Sequence, residues 1–289
     1  MDIRAILMGL AFAIMWSSAF TSARIIVADA SPLFALSLRY LISGLIGVGI
    51  ALLLGQSWRL TPAQWRATII FGVLQNAVYL GLNFVAMQTI EASLAAIIAS
   101  TMPLLVGFAA WAFLGERLRP LGVIGLLAGV VGVAIIMGAR LGGTVDMTGL
   151  LLCAIGVVAL TAATLLVRGA TSGGNFLMVV GLQMLVGCVA LSLATLLFET
   201  PRIDPNWRLA AAFAYTCLVP GLAATVVWFW LVNRIGATRG ATFHFLNPFF
   251  GVAIAALLLG ETLGPRDILG VAIIAGGILA VQISRQKRA

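Results

Sequence analysis

Gln75, Tyr79 and Asn83 recur at i, i+4 and i+8 in a stretch of chain that is otherwise mostly apolar. An α-helix turns about 100° per residue, so the three fall on one stripe about 80° wide. Two amides and a phenol in such a stripe can hydrogen-bond a solute while showing it an aromatic face. Comparable groups punctuate other apolar stretches. Trp16 and Phe20 flank Ser17, Thr161 lies near Thr164, Tyr215 precedes Trp228 and Trp230, and His244 stands shortly before Asn247. Aromatic walls with a few hydroxyls and amides suit an amphiphilic molecule with a flat apolar side chain. The same groups also serve as packing glue between helices, and Ser or Thr can satisfy itself on the preceding turn. Both readings stand on sequence alone.

Ionisable groups narrow the chemistry. Arg39 is the only basic residue well inside an apolar stretch. Its planar fork can hold a carboxylate bidentately; its long stem can equally snorkel to headgroups or close a gate. His244, the single histidine, offers either a proton relay or a neutral, hydrogen-bonded structural ring. Glu91, Glu116 and Glu261 sit at the ends of apolar stretches, where they can cap loops, and no Asp or Glu falls at the middle of one. No nucleophile–base pair or His/Asp cluster is assembled, so neither catalysis nor a metal or cofactor is expected. Cys153, Cys188 and Cys217 lie in apolar stretches and read as small fillers rather than disulfides. Pro103, Pro220 and Pro248 each remove a backbone hydrogen bond and bend a helix, a hinge whose freed carbonyls can face a solute.

The elements that position these residues follow from composition. Of 289 residues, 62% are hydrophobic and 9% charged, with mean hydropathy +1.14. A soluble domain carries about 25% charged residues, so the solvent of this chain is lipid. A hydrocarbon core of about 30 Å takes about 20 residues of helix. Ten spans result, at 3–27, 32–54, 66–87, 91–114, 121–139, 147–168, 176–198, 208–233, 237–259 and 267–284. The net charge of +8 falls in the short gaps between them, as a topology signal rather than a nucleic-acid surface.

Orientation follows from counting Lys and Arg on alternating sides. With the N-terminus inside, Arg4, Arg59, Arg66, Arg117, Arg119, Arg168, Arg234, Arg239, Arg285, Lys287 and Arg288 are cytoplasmic, against Arg24, Arg140, Arg202, Arg208 and Arg266 outside. Seven acids lie outside and only Asp2 and Glu116 inside. Both termini are therefore expected in the cytoplasm.

The halves repeat. A shift of 145 residues lays Leu114-Gly115-Glu116-Arg117-Leu118-Arg119-Pro120 on Leu259-Gly260-Glu261-Thr262-Leu263-Gly264-Pro265, and Pro103 on Pro248. The expected domains are thus 1–140 and 141–289, each with five spans. Five is odd, so the second half enters from the opposite side. Inverted repeats belong to secondary transporters, whose solute site lies where the repeats meet.

The stretch 86–133, with Pro103 and the closing Leu-Gly-Glu-Arg-Leu, resembles the EamA-type repeat of the drug/metabolite transporter superfamily. Trp16-Ser17-Ser18-Ala19-Phe20 is similar to that family's Trp-Gly-Ser-x-Phe signature, with Ser17 in place of glycine. The resemblance implies an all-α integral membrane fold and a ten-helix exporter of small metabolites in the bacterial inner membrane. The likeness is greatest to its aromatic amino-acid exporters. The expected partners are a small-molecule substrate and the bilayer, with no nucleic acid, and the expected state is a monomer. The substrate-binding set is Trp16, Ser17, Phe20, Arg39, Gln75, Tyr79, Asn83, Thr161, Thr164, Tyr215, Trp228, His244 and Asn247, with hinges at Pro103, Pro220 and Pro248. A broader drug or nucleoside-type exporter and a passive channel are the competing readings.

Overall fold

The computed structural model describes residues 3–116, 119–140, 146–167 and 173–286. Asp2, Arg117, Leu118, Arg168, Lys287 and Arg288 lie outside the described residues, and the expected boundary after residue 140 falls at their edge. Ten helices are long and apolar enough to cross a membrane: α1 (Ile3–Asp29), α2 (Pro32–Leu53), α3 (Pro62–Ala86), α4 (Ala92–Leu114), α5 (Pro120–Gly138), α6 (Met147–Leu166), α7 (Phe176–Phe198), α8 (Trp207–Ile235), α9 (Ala241–Leu259) and α10 (Pro265–Ser284). In lipid no water can satisfy a backbone N–H or C=O, so an apolar run must pair its own backbone as helix. Large side chains on the outside follow from the same solvent: Leu257 is 83% exposed and Phe113 81%.

The ends of these helices are closed by recognisable chemistry. α3 begins four residues before the expected span because Thr61 and Gln64 form a capping box ahead of it, with Pro62 in its first turn. α4 and α9 both stop on a left-handed glycine, Gly115 at φ 66° and Gly260 at φ 70°. That conformation costs a residue with a Cβ about 1 kcal/mol and so favours glycine, which accounts for the recurring glycine of the Leu-Gly-Glu motif. Carboxylates from distant loops close several N-termini. Glu261 accepts from the N–H groups of Ala92 and Ser93 at 2.8 and 3.0 Å, and Glu199 from those of Leu33 and Phe34 at 3.1 Å. These carboxylates satisfy donors that a helix leaves unpaired and complement its dipole.

Four helices are interrupted, and the interruptions come in matched pairs. The turns of α3 from Gly72 to Tyr79 open into π-helix, as do those of α8 from Cys217 to Ala223. The second opening starts 145 residues after the first, the offset of the sequence repeat. Pro220 lies inside the second opening, whereas the first contains no proline. α4 breaks between Ala92–Ser100 and Met102–Leu114, and the span of α9 opens as a 3₁₀ turn over Ala241–Leu246 before Asn247–Leu259. Pro103 and Pro248 each stand in the first turn of the segment after the break. There a missing N–H costs nothing.

Packing divides the chain into two compact units, Met1–Thr21, Thr89–Leu150 and Ala223–Ala289 in one, and Ser22–Gln88 and Leu151–Leu222 in the other. Each is built around equivalent helices of the two halves. In the first unit α5 lies against α10 so closely that a Cβ on Gly125 would stand 2.6 Å from the carbonyl oxygen of Gly277. In the second, α2 lies against α7, where Cβ atoms on Gly44 and Gly181 would each stand 3.1 Å from the other's carbonyl oxygen. Loops expected on one side of the membrane meet within each unit. In the second, Ser31 N–H donates to Arg202 O, Asp204 N–H to Asp29 O, and Ser57 N–H to Asn175 Oδ1.

Candidate functional site

The candidate residues fall into two sets, one in each unit. In the first unit, Phe12, Trp16, Trp228 and His244 form an aromatic cluster. Phe12 lies 4.7 Å from Trp228 and 5.3 Å from His244, Trp228 lies 5.3 Å from His244, and Phe12 lies 5.6 Å from Trp16. The 3₁₀ opening of α9 brings His244 and Asn247 together, with Asn247 Nδ2 2.9 Å from His244 Nδ1. With the amide nitrogen as donor, Nδ1 accepts and the neutral ring carries its proton on Nε2. Asn247 Oδ1 is buried with no partner. Ser17 is buried and donates to Asn247 O at 3.3 Å, and Phe20 is buried on the same helix. Phe12 was not among the expected residues, because a phenylalanine in an apolar span carries no polar mark.

In the second unit the π-helical opening of α3 carries the polar residues. Tyr79 and Asn83 are buried, while Gln75 is half-buried. The buried amide beside Gln75 is Asn76, whose Oδ1 accepts from Tyr40 OH at 3.3 Å and whose Nδ2 donates to Gln183 O at 2.9 Å. Asn83 spends its Nδ2 on Tyr79 O at 2.8 Å, and its Oδ1 accepts from Cys153 Sγ at 3.4 Å. Thr161 and Thr164 donate to the carbonyls of Val157 and Leu160, each at 2.8 Å, as self-satisfied helical hydroxyls do. Tyr215 is 39% exposed on the surface of the unit. Sequence spacing could have found Asn76, since residues 76, 79 and 83 also lie three and four apart.

Arg39 is 6% exposed and its Nε has no hydrogen-bond partner. Its guanidinium carbon stands 5.2 Å from the Tyr40 ring centroid. Gly221 of the α8 opening is close by, for a Cβ on it would lie 3.7 Å from Arg39 Nη2 and 3.5 Å from Ser43 Oγ. Among the described residues no group of three or more His, Cys, Asp or Glu could hold a metal ion.

Known proteins agree with this architecture. A crystal structure 23% identical in sequence superposes with a TM-score of 0.71 over 100% of each chain, a likeness of fold. The chain is similar to the uncharacterized transporter YvbV of Bacillus subtilis, 32% identical over 48% of this chain and 45% of that one. It is also similar to the uncharacterized transporter YoaV of Bacillus subtilis, 23% identical over 92% of each. Similarity to the aromatic amino acid exporter YddG of Ancylobacter novellus is 28% identity over 48% of each chain. The matches to YvbV and YddG thus span about half the length of those relatives. The family model for EamA-like transporters matches twice, over residues 3–138 and again over 147–283. With ten membrane-spanning helices and one such repeat in each half, this chain belongs to the EamA-like transporter family.

Proposed function

We propose that the protein exports small amphiphilic metabolites, aromatic amino acids foremost, across a bacterial inner membrane by alternating access of its two halves. Both termini then face the cytoplasm. The observation that carries this reading is the matched pair of openings, Gly72–Tyr79 and Cys217–Ala223, one per half and 145 residues apart. A carrier must make the same change alternately in each half, so a break repeated in register is what such a mechanism requires. π-helical turns are often placed at functional sites. The first opening also carries the buried Asn76 and Tyr79, an amide and a phenol on adjoining turns. The substrate class rests on that chemistry and on the similarity to YddG. Of the expected residues, Trp16, Trp228, His244 and Asn247 would serve the solute in one unit, and Tyr79 and Arg39 in the other.

Counterflow in proteoliposomes against a panel of amino acids, organic cations and nucleosides tests the reading. Accumulation of labelled phenylalanine, competed by other aromatic amino acids, is expected. Tyr79→Ala should lower that flux, normalised to folded protein in the vesicles, by about tenfold or more, although truncating this buried ring also costs about 3 kcal/mol of stability. Competition by nucleosides or cations alone would replace the amino-acid reading with the broader exporter. Normal flux in Tyr79→Ala would remove Tyr79 from the site.

A further inference from the structure

Arg39 is a cation placed where a lone cation is costly. It sits eight residues into α2 and is 6% exposed. Its Nε is buried without a partner, and among the described residues its guanidinium forms no ion pair or hydrogen bond. Burial of a charge is tolerated only where an opposite charge or good acceptors compensate it. The Tyr40 ring face beside it supplies only a weak attraction. The fork therefore lacks its complement.

Three features beside Arg39 say what the complement is. First, a cavity of about 230 Å³ opens where α2 and α8 begin, lined by Ala35 and Leu38 from one, Leu209 and Phe213 from the other, and loop residues including Ala30 and Pro205. Its walls are apolar, and it is smaller than the 300–1,000 Å³ of drug-sized sites, so it holds one apolar side chain rather than a whole drug. Second, Arg39 and Ser43 follow the lining residue Ala35 at i+4 and i+8 on α2, and Cys217 and Gly221 follow Phe213 at i+4 and i+8 on α8. At 1.5 Å of rise per residue they lie within about two turns of the cavity wall. Third, Gly221 presents no side chain to them: a Cβ there would stand 3.5 Å from Ser43 Oγ and 3.7 Å from Arg39 Nη2, and already 3.0 Å from Thr216 O. Ser43 Oγ holds only a long bond, 3.4 Å, to Cys217 O, so its hydroxyl can turn to another acceptor.

We infer that Arg39 and Ser43 form an anion subsite for the carboxylate of a small amphiphile whose apolar side chain enters the cavity between α2 and α8. The fork donates two parallel hydrogen bonds to the carboxylate, Ser43 donates a third, and Gly221 provides clearance. This deepens the transport reading and rests on it for the natural occupant. A neutral or purely cationic solute would leave the guanidinium bare, so the subsite selects carboxylates.

Benzoate and its uncharged analogue benzamide test the subsite without assuming a transported substrate. Their affinities are read by thermal unfolding of the full chain in nanodiscs of phosphatidylcholine, with and without phosphatidylglycerol. Benzoate should stabilise the wild type saturably and benzamide should not. Arg39→Gln should weaken benzoate by about tenfold or more, and Ser43→Ala by severalfold. Arg39→Lys should fall between wild type and Arg39→Gln, because it keeps the charge and loses the fork. Without ligand, Arg39→Gln should unfold at no lower temperature, since the variant removes an unpaired buried charge; this separates lost binding from lost folding. Equal effects of benzoate and benzamide, or benzoate binding that survives Arg39→Gln, would overturn the subsite. Stabilisation by phosphatidylglycerol that needs Arg39, with none from benzoate, would also overturn it and give the guanidinium to a lipid headgroup. Benzoate binding through Arg39 in a protein that shows no amino-acid counterflow would keep the subsite and sink the amino-acid reading, so the two failures are distinct.

Discussion

Single carboxylates tie this chain together at its helix ends. Glu261 spans 169 residues of sequence to accept from the N–H groups of Ala92 and Ser93. Removing it leaves two donors at a helix N-terminus unpaired and unopposed by charge. Glu261→Ala should therefore cost about 1 kcal/mol in reversible denaturant unfolding, with Glu261→Gln losing less; an unchanged midpoint would show that water replaces it. Asp146 plays a similar part ahead of α6. Its carboxylate accepts from Thr89 Oγ1 at 2.7 Å and from Gly149 N–H at 2.9 Å. These bonds, the Thr89 hydroxyl first, hold its carboxyl below the ordinary aspartate range. A depressed carboxyl contributes order that is fully present above its unfolded value and is lost as pH falls through the folded one. Hydrogen exchange at Gly149 should accelerate as pH falls below the usual carboxylate range, after correction for intrinsic exchange, and Thr89→Val should shift that onset to higher pH. At this scale the site was only partly legible. Tyr79 and Asn83 announce themselves as polar groups in an apolar span, but Asn76 rather than its neighbour Gln75 is the buried amide. That choice is made by a partner helix: Gly187 of α7 admits the Asn76 side chain, where a Cβ would stand 2.5 Å from Asn76 Cβ.

At the scale of elements, glycine sets which helices pair. α5 and α10 approach until backbone meets backbone, and a Cβ on Gly125 would lie 2.6 Å from Gly277 O and 3.0 Å from Val281 N. Neither is a flexible side chain that can yield. Gly125→Ala should destabilise by roughly 1–3 kcal/mol through overpacking, measured by unfolding in detergent, whereas Gly138→Ala, with nothing within 4 Å of its new Cβ, should be neutral or slightly stabilising. The ten spans were legible because lipid leaves helix as the only answer to a long apolar run, and all ten appear with ends moved by a few residues. The π-helical openings were not. A sequence apolar on nearly every side carries the same pattern whether the turn holds 3.6 residues or more, and Gly72–Tyr79 contains no proline to mark it. Pro220 was a visible signal for the second opening, and the 145-residue offset then points to the first.

Across the whole molecule, the same repeat that appears in the sequence reappears in three physical forms. The family model matches once per half, equivalent helices pack as pairs at the centre of each compact unit, and the helix openings recur at one offset. Each compact unit draws helical segments from both halves. The proposed carrier would use this repeat for alternating access, whereas a fixed pore would line one path with repeated charge or a selectivity filter. Proteoliposome flux of labelled phenylalanine, measured against concentration with and without unlabelled phenylalanine on the far side, tests that claim most directly. The account predicts flux that saturates and that is accelerated by substrate on the far side. Flux that rises linearly with concentration and ignores the far side would contradict it.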